Sequence, residues 1–218
     1  FKDTDFELKQ LVSESLVADG VSDIFKMAGI NTPDISILSE EFLKEVQKMP
    51  QKNLAVELLN KLINDQVKSK FKTNIVKQKK FSDLLQNALS KYQNRSIEAA
   101  QVIAELIEMA KEFKKDIEKT DELNLDPAEN AFYDALSNNK SAEDLMGEEV
   151  LIEIAREVAE KLRQNISVDW SVRESVRARL RLIVKNLLRK YKYPPDDQDE
   201  AVELVLSQAE MVSEELVA

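Results

Sequence analysis

Glycine occurs only three times in this 218-residue chain, at positions 20, 29 and 147, and proline occurs only five times. Folds built from many short strands need these residues at their tight turns, because glycine tolerates a positive φ and proline fixes φ. A chain with so few turn residues therefore favours long elements. Leucine, alanine, glutamate and lysine, which are good helix formers, are abundant. We expect an all-α fold, an irregular multi-helix bundle.

Local signals predict where several helices start. Ser39 before Glu40 and Glu41 indicates an N-cap with acids in the first turn, and Pro50 lies beyond the end of that helix. The runs 126–129 and 171–174 each match a capping box, in which the cap side chain and the third residue bond reciprocally. Asp196 is expected to cap the last helix, after Pro194-Pro195 ends the preceding one.

The middle of the chain has a long amphipathic segment over 82–119. Ser82 is the expected N-cap of its first helix, and the pattern leaves open whether the segment is one helix or two that meet near Asn94. The expected apolar row of its second half is Ile97, Ala100, Ile103/Ala104, Ile107, Ala110 and Lys114, flanked by Leu106 and Phe113.

Histidine and cysteine are absent. This composition excludes disulfides, thiolate catalysis, Ser–His or Cys–His pairs and ordinary zinc sites. Glycines at 20, 29 and 147 have neither the spacing of a phosphate-binding loop nor that of a dinucleotide fingerprint. We therefore expect no catalytic site, cofactor or metal in this chain. Since it has no cysteine and no apolar run of about 18 residues, we also expect a cytoplasmic protein without a membrane span.

Two acidic clusters could suggest metal-dependent chemistry, and both have a simpler interpretation. Glu98, Glu105, Glu108 and Glu112 are expected on one polar helix face, without the histidines that di-metal bundles use. Asp196, Asp199 and Glu200 open a helix, and no lysine follows to complete a nuclease-like set. Helix capping accounts for the second cluster.

The net charge of −10 argues against nucleic acid as a partner, but the basic residues are unevenly distributed. Residues 66–95 hold eight Lys/Arg and one acid, and residues 163–193 hold nine Lys/Arg and two acids. The second region contains a cation row with a spacing of four residues, which winds slowly round a helix. The cation row is Arg173, Arg177, Arg181, Lys185 and Arg189, followed by Lys190. The first region contains a lysine run, formed by Lys68, Lys70, Lys72, Lys77, Lys79 and Lys80.

Both basic sets have two open interpretations. Guanidinium and ammonium groups could contact DNA phosphates, with salt-sensitive and sequence-independent affinity. They could instead form a solvated face, or the cation row could pair with acidic helices over 148–160 and 196–215. Trp170, just before the second capping box, is expected to anchor the core or a hydrophobic staple, with a partner-facing role as the alternative.

Several stretches resemble the closing segment of type I restriction endonuclease R subunits. They are 35–39, 53–59, 92–103, 187–191, Pro194-Pro195 and, above all, Val168-Asp169-Trp170-Ser171-Val172-Arg173-Glu174-Ser175-Val176-Arg177-Ala178. The resemblance covers roughly residues 20–210.

The resemblance implies a helical C-terminal module of a prokaryotic, ATP-dependent DNA translocase and endonuclease. In this interpretation residues 1–50 connect to the second motor domain and 51–218 form the C-terminal helical domain. Its implied partners are the methyltransferase and specificity subunits, the motor domains of its own subunit and double-stranded DNA. ATP and Mg²⁺ belong to the rest of that subunit. The alternative is a structural scaffold or protein-interaction module without DNA contact.

Overall fold

The computed structural model describes residues 39–165, 173–195 and 198–212. The regular elements in these ranges are α-helices, without strands, which confirms the all-α prediction. The helices are α1 Glu40–Lys48, α2 Lys52–Lys70, α3 Ile75–Gln93, α4 Ala99–Glu122, α5 Pro127–Ser137, α6 Lys140–Met146, α7 Glu148–Asn165, α8 Glu174–Lys190 and α9 Gln198–Met211. The expected helices before residue 39, the Ser171 cap, Trp170 and the Asp196 cap lie outside the described residues.

The described residues divide into two compact units. The first unit contains 39–70 and 80–116, and the second contains 71–79 and the described residues from 117 onward. This division concerns packing within the chain. The predicted boundary at residue 50 concerns how the chain connects to a larger subunit, and it stays a prediction.

Two predicted helix caps are confirmed. The Ser39 side chain accepts a hydrogen bond from the Phe42 amide at 3.2 Å, and α1 ends before Pro50. Asp126 and Glu129 form the predicted capping box, with reciprocal hydrogen bonds of 2.9 and 3.0 Å. These bonds satisfy amide groups that the first helical turn leaves without partners.

The predicted start of α3 at Ser82 is wrong. The helix begins seven residues earlier, at Ile75, and Ser82 is an exposed residue in its middle. The Asn74 side chain caps it, since its Oδ1 accepts the Lys77 amide at 3.0 Å. The absence of an acidic residue from the first turn concealed this start, because acidic residues are the usual first-turn signal.

The open question over 82–119 is resolved as two helices. Helix α3 ends in a Schellman motif, in which the Ser96 amide donates to the Lys91 carbonyl and the Arg95 amide donates to the Tyr92 carbonyl. Arg95 has the left-handed φ of 56° that this motif needs. A new helix, α4, then begins at Ala99.

The predicted apolar row of α4 is wrong in part. Ala100, Ala104 and Lys114 are exposed. The residues that α4 buries are Val102, Ile103, Leu106, Ile107, Met109, Ala110 and Phe113. Small alanines suit either face of a helix, whereas the larger apolar side chains gain more from burial and so determine the orientation.

Each unit has its own apolar packing. In the first unit, the buried rings of Phe81 and Phe113 meet edge to face with centroids 5.3 Å apart. In the second unit, α5 packs on α7 and α9, and α8 packs on both α7 and α9. Phe132, Leu136, Ile154, Leu180 and Val205 lie at the centre of this second core and are fully buried.

Candidate functional site

The cation row lies on α8 and faces acidic side chains of α9. Arg181 binds Glu203 with both nitrogens, Nε at 2.6 Å and Nη2 at 3.0 Å. Lys185 Nζ lies 2.6 Å from Asp199 Oδ1. Arg177 Nη1 forms an ion pair with Glu210 Oε1. The two helices therefore present complementary charges to each other, and Arg177, Arg181 and Lys185 of the cation row are ion-paired within the second unit.

The contacts between α8 and α9 shift the pKa values of Glu203, Asp199 and Arg181. Hydrogen bonding from Arg181 lowers the pKa of Glu203 from its usual value, and hydrogen bonding from Lys185 lowers the pKa of Asp199. The hydrogen bond to Glu203 also raises the pKa of Arg181. Both carboxylates therefore stay charged to a lower pH than the same groups would without these partners.

Lys190 and Tyr191 make a second ionic contact, with α7. Lys190 Nζ lies 2.7 Å from Glu157 Oε2, and the Tyr191 hydroxyl lies 2.8 Å from the same oxygen and 3.1 Å from Glu153. Hydrogen bonds from Lys190 and then from Tyr191 lower the pKa of Glu157. Burial and the two carboxylates raise the pKa of Tyr191.

Arg173 and Arg189 are the two end members of the cation row. Arg173 occupies the N-cap position of α8 and makes no capping bond with its side chain. Arg189, in the last turn, is exposed and makes no ion pair with any residue that the structure describes. Arg189 is therefore the row member most available to an external anion.

The lysine run does not form one continuous surface. Lys77 is buried, with Nζ 3.2 Å from Asp134 Oδ2 and 2.6 Å from the Thr120 hydroxyl. Asn74 Nδ2 donates to the same Asp134 oxygen at 2.6 Å. Lys77 is thus a core residue of the second unit, and its side chain is not open to phosphate.

Lys80 is also engaged, in the first unit. Its Nζ lies 2.8 Å from Glu112 and 3.2 Å from Asp116. Burial alone lowers the pKa of Lys80, but the hydrogen bonds to these two carboxylates outweigh it and raise the pKa. Glu112 of α4 therefore pairs with a lysine of α3.

Four members of the lysine run remain exposed without an ion pair to the described residues. Lys68 and Lys70 belong to the last turn of α2, and Lys72 and Lys79 belong to the second unit. The structure thus separates the predicted basic residues into paired and unpaired groups, while their contact with DNA stays a prediction. Within the described ranges, no cluster of three or more acids is arranged to hold a metal ion.

The sequence reasoning missed a groove in the second unit, which we call the Leu145 groove. One wall is formed by α6 and the start of α7, and the other by the segment after α8. It encloses about 520 Å³ and is lined by Ser141, Leu145, Met146, Val150, Tyr191, Lys192, Pro194 and Pro195. Asn139 and Gly147 were the available signals, since they cap α6 at its two ends.

None of the described helices has both the length and the apolar character that a membrane crossing requires. No solved structure matches the chain.

Comparison with known proteins places the chain among restriction enzyme subunits. Residues 2–215 match the family model described as "Type I restriction enzyme HindI endonuclease subunit-like, C-terminal". The type I restriction enzyme HindI endonuclease subunit of Haemophilus influenzae is 44% identical over 209 residues, which are 96% of this chain and 20% of that protein. A Methanocaldococcus jannaschii protein, provisionally named the type I restriction enzyme MjaIXP endonuclease subunit, is 36% identical over 135 residues, which are 62% of this chain and 13% of that protein.

The chain therefore spans one fifth or less of the length of these two relatives. The match to the family model covers nearly all of its 218 residues. The chain belongs to the family of C-terminal regions of type I restriction enzyme endonuclease subunits, as its sequence resemblance indicated.

Proposed function

We propose that this chain is the non-catalytic docking module of a type I restriction endonuclease subunit. It holds that subunit on the methyltransferase and specificity subunits of a cytoplasmic prokaryotic complex. ATP and Mg²⁺ are bound by other parts of the same subunit, which contain the motor and nuclease domains. The family match supports this position in the subunit, because the matching model covers its C-terminal end.

The matched charges between α8 and α9 are the observation that carries the proposal. A cation already held by a carboxylate at 2.6 Å must break that pair before it can grip a phosphate. The middle of the cation row is therefore poorly placed to track DNA. What the second unit offers to a partner is an apolar surface at Leu145, which exposes 76% of its surface.

The experiment compares the complete endonuclease subunit with a version that lacks residues 51–218. Tagged methyltransferase–specificity complex is used to capture each version from solution, and ATPase activity confirms that the motor domains of the shortened subunit are folded. We expect the shortened subunit to retain ATPase activity and to lose capture. Normal capture of the shortened subunit would contradict the docking function.

Guidance of double-stranded DNA is a second candidate function, and the unpaired cations favour it. Lys68, Lys70, Lys72, Lys79 and Arg189 are exposed without an ion pair among the described residues. Exposed cations release counterions from DNA on contact, so their contribution to affinity falls steeply as salt rises.

The test of this second function separates unpaired from paired cations. We expect Lys68→Glu with Lys70→Glu to weaken low-salt DNA binding by the complete subunit. Lys80→Glu, which changes a paired lysine of the same unit, serves as the control and should have a smaller effect. Unchanged affinity in the Lys68/Lys70 variant would favour a scaffold without DNA contact.

A further inference from the structure

The Leu145 groove has two walls that are held in place by the fold. On the first wall, the Asn139 side chain caps α6 by accepting the Ser141 amide at 2.8 Å. Gly147 ends α6 with a φ of 76°, which a residue with a side chain rarely adopts. Ala142 is fully buried and fixes the helix on its inner side. Leu145 is thereby held outward at the groove, with Met146 and Val150 beside it.

The opposite wall is fixed by hydrogen bonds. The Tyr191 hydroxyl lies 2.8 Å from a Glu157 oxygen, to which it donates, and 3.1 Å from a Glu153 oxygen, and these contacts set the position of its ring. The buried Tyr193 hydroxyl donates to the Leu136 carbonyl at 2.7 Å and ties the segment to α5. A Schellman motif places Lys192 at a φ of 57°, with the Tyr193 amide donating to the Leu188 carbonyl. A partner that enters this groove does not have to order either wall, and such preorganisation favours affinity.

The chemistry of the lining limits what can bind. Pro194 and Pro195 have no amide hydrogen, so this wall cannot extend a partner's β-sheet by a ladder of backbone bonds. Most of the lining is apolar, and the volume of about 520 Å³ lies within the usual range of roughly 300–1,000 Å³ for ligand pockets. One exposed leucine is ordinary on a protein surface, but Leu145 stands beside Met146, Val150 and two prolines in one groove.

Lys192 gives the Leu145 groove a preference for a negatively charged partner group. It is the one ionisable cation among the lining residues, it is exposed, and it makes no ion pair with the described residues. An unpaired lysine at the rim of an apolar groove is complementary to a carboxylate. It also contrasts with Lys190, two residues earlier, which is bound to Glu157 at 2.7 Å.

We propose that the Leu145 groove receives an apolar anchor side chain of a partner polypeptide, carried next to an acidic residue that pairs with Lys192. This inference rests on the proposed docking function and names the surface that performs it. The partner's anchor packs between Leu145 and Tyr191, and its carboxylate contacts the Lys192 ammonium at the rim. When the partner binds, it buries Leu145, which lies outside the core of the second unit.

The experiment measures the affinity of the complete endonuclease subunit for purified methyltransferase–specificity complex. Leu145→Asp places a charge in the groove, and we expect at least a tenfold loss of affinity. Lys192→Glu should weaken binding several-fold at low salt, with a smaller loss at high salt because the contact is ionic. Leu182→Asp is the matched control, since Leu182 is an exposed leucine of the same unit outside the groove. It should change affinity less than twofold.

The inference is overturned if Leu145→Asp binds within twofold of the wild type, or if Leu182→Asp weakens binding as much as Leu145→Asp. It is also overturned if the wild-type subunit dimerises in light scattering and Leu145→Asp separates the dimer, because the groove then binds a second copy. Failure of the docking function itself is recognised separately, by normal capture of the subunit that lacks 51–218. Circular dichroism of each variant shows that the helices are retained.

Discussion

The ammonium of Lys77 lies 3.2 Å from the carboxylate of Asp134, and the two side chains expose only 10% and 13% of their surface. Asn74 donates to the same carboxylate and caps α3 with its other amide atom. The fully buried Gln208 of α9 accepts the Ile75 amide at 2.9 Å. This polar network fixes the start of α3 against α5 and α9 in the second unit.

Replacement of Asp134 by alanine is expected to destabilise the 218-residue chain by about 3–5 kcal/mol, because it leaves the buried Lys77 charge without a carboxylate to neutralise it. Urea unfolding followed by circular dichroism measures the loss. Lys185→Ala, which breaks an ion pair whose acid is 84% exposed, is the control and should lower the midpoint far less. A comparable loss in both variants would contradict the structural role of the network.

The interface of α8 with α7 and α9 should weaken in acid. The pKa values of Glu157, Asp199 and Glu203 are all lowered by their cationic partners in the folded chain. The unfolded chain therefore binds these protons at a higher pH than the folded chain does. Their stabilising contribution is complete above the ordinary carboxylate range near about 4–4.5, and it is lost as the pH falls through the lowered values.

Thermal unfolding between pH 7 and pH 3 tests this expectation, with Glu203→Gln as the comparison. The wild-type midpoint should fall with acid, and the variant should start lower and fall less, since it cannot gain the proton. Parallel curves for the two proteins would show that the Arg181–Glu203 pair does not contribute to the pH dependence.

The Tyr191 hydroxyl should ionise at a higher pH than that of a free tyrosine. Burial and the nearby Glu157 and Glu153 carboxylates raise its pKa, and burial likewise raises the pKa of Tyr133. Because the folded chain keeps these protons above the ordinary value of about 10, stability should fall as the pH rises beyond that value. Ultraviolet titration of the phenolates follows this directly. Tyr191→Phe should remove one phenol ionisation that occurs above the ordinary tyrosine range. If the ionisation that disappears lies in the ordinary range instead, the contacts of Tyr191 with α7 are contradicted.

Exchange of the charges in the Arg181–Glu203 pair tests whether the cation row packs or binds DNA. Arg181→Glu alone places two acids together and should lower the urea midpoint. Adding Glu203→Arg should restore much of that loss, because the pair re-forms with its polarity reversed. If the row serves packing, the double variant should bind DNA at low salt as the wild type does. A loss of DNA affinity with restored stability would assign phosphate contact to Arg181.

Local signals were enough to predict the helical class and several helix ends. The Ser39 and Asp126 side chains each accept the backbone amide three residues later, so four consecutive residues are enough to predict either cap. The start of α3 was missed because no acidic residue follows its local cap, Asn74, in the first turn. The tertiary contact of Asn74 with Asp134, 60 residues later in the chain, could not be predicted from a short window.

The same limit applies to the candidate site. Spacing correctly indicated that Arg177, Arg181 and Lys185 share a helix, and pairing with an acidic helix was one of the two interpretations left open. Sequence alone could not separate Lys77 from Lys79, because burial of a lysine depends on a carboxylate that another helix supplies. The Leu145 groove could not be predicted either, since its two walls are about 40 residues apart in the chain.

Competition by the 218-residue chain tests the central claim most directly. Labelled complete endonuclease subunit is bound to purified methyltransferase–specificity complex, and the unlabelled chain is added in increasing amounts. If the chain is the docking module, it should displace the labelled subunit, and its Leu145→Asp variant should require at least ten times more. No displacement at concentrations far above the affinity of the complete subunit would contradict the account.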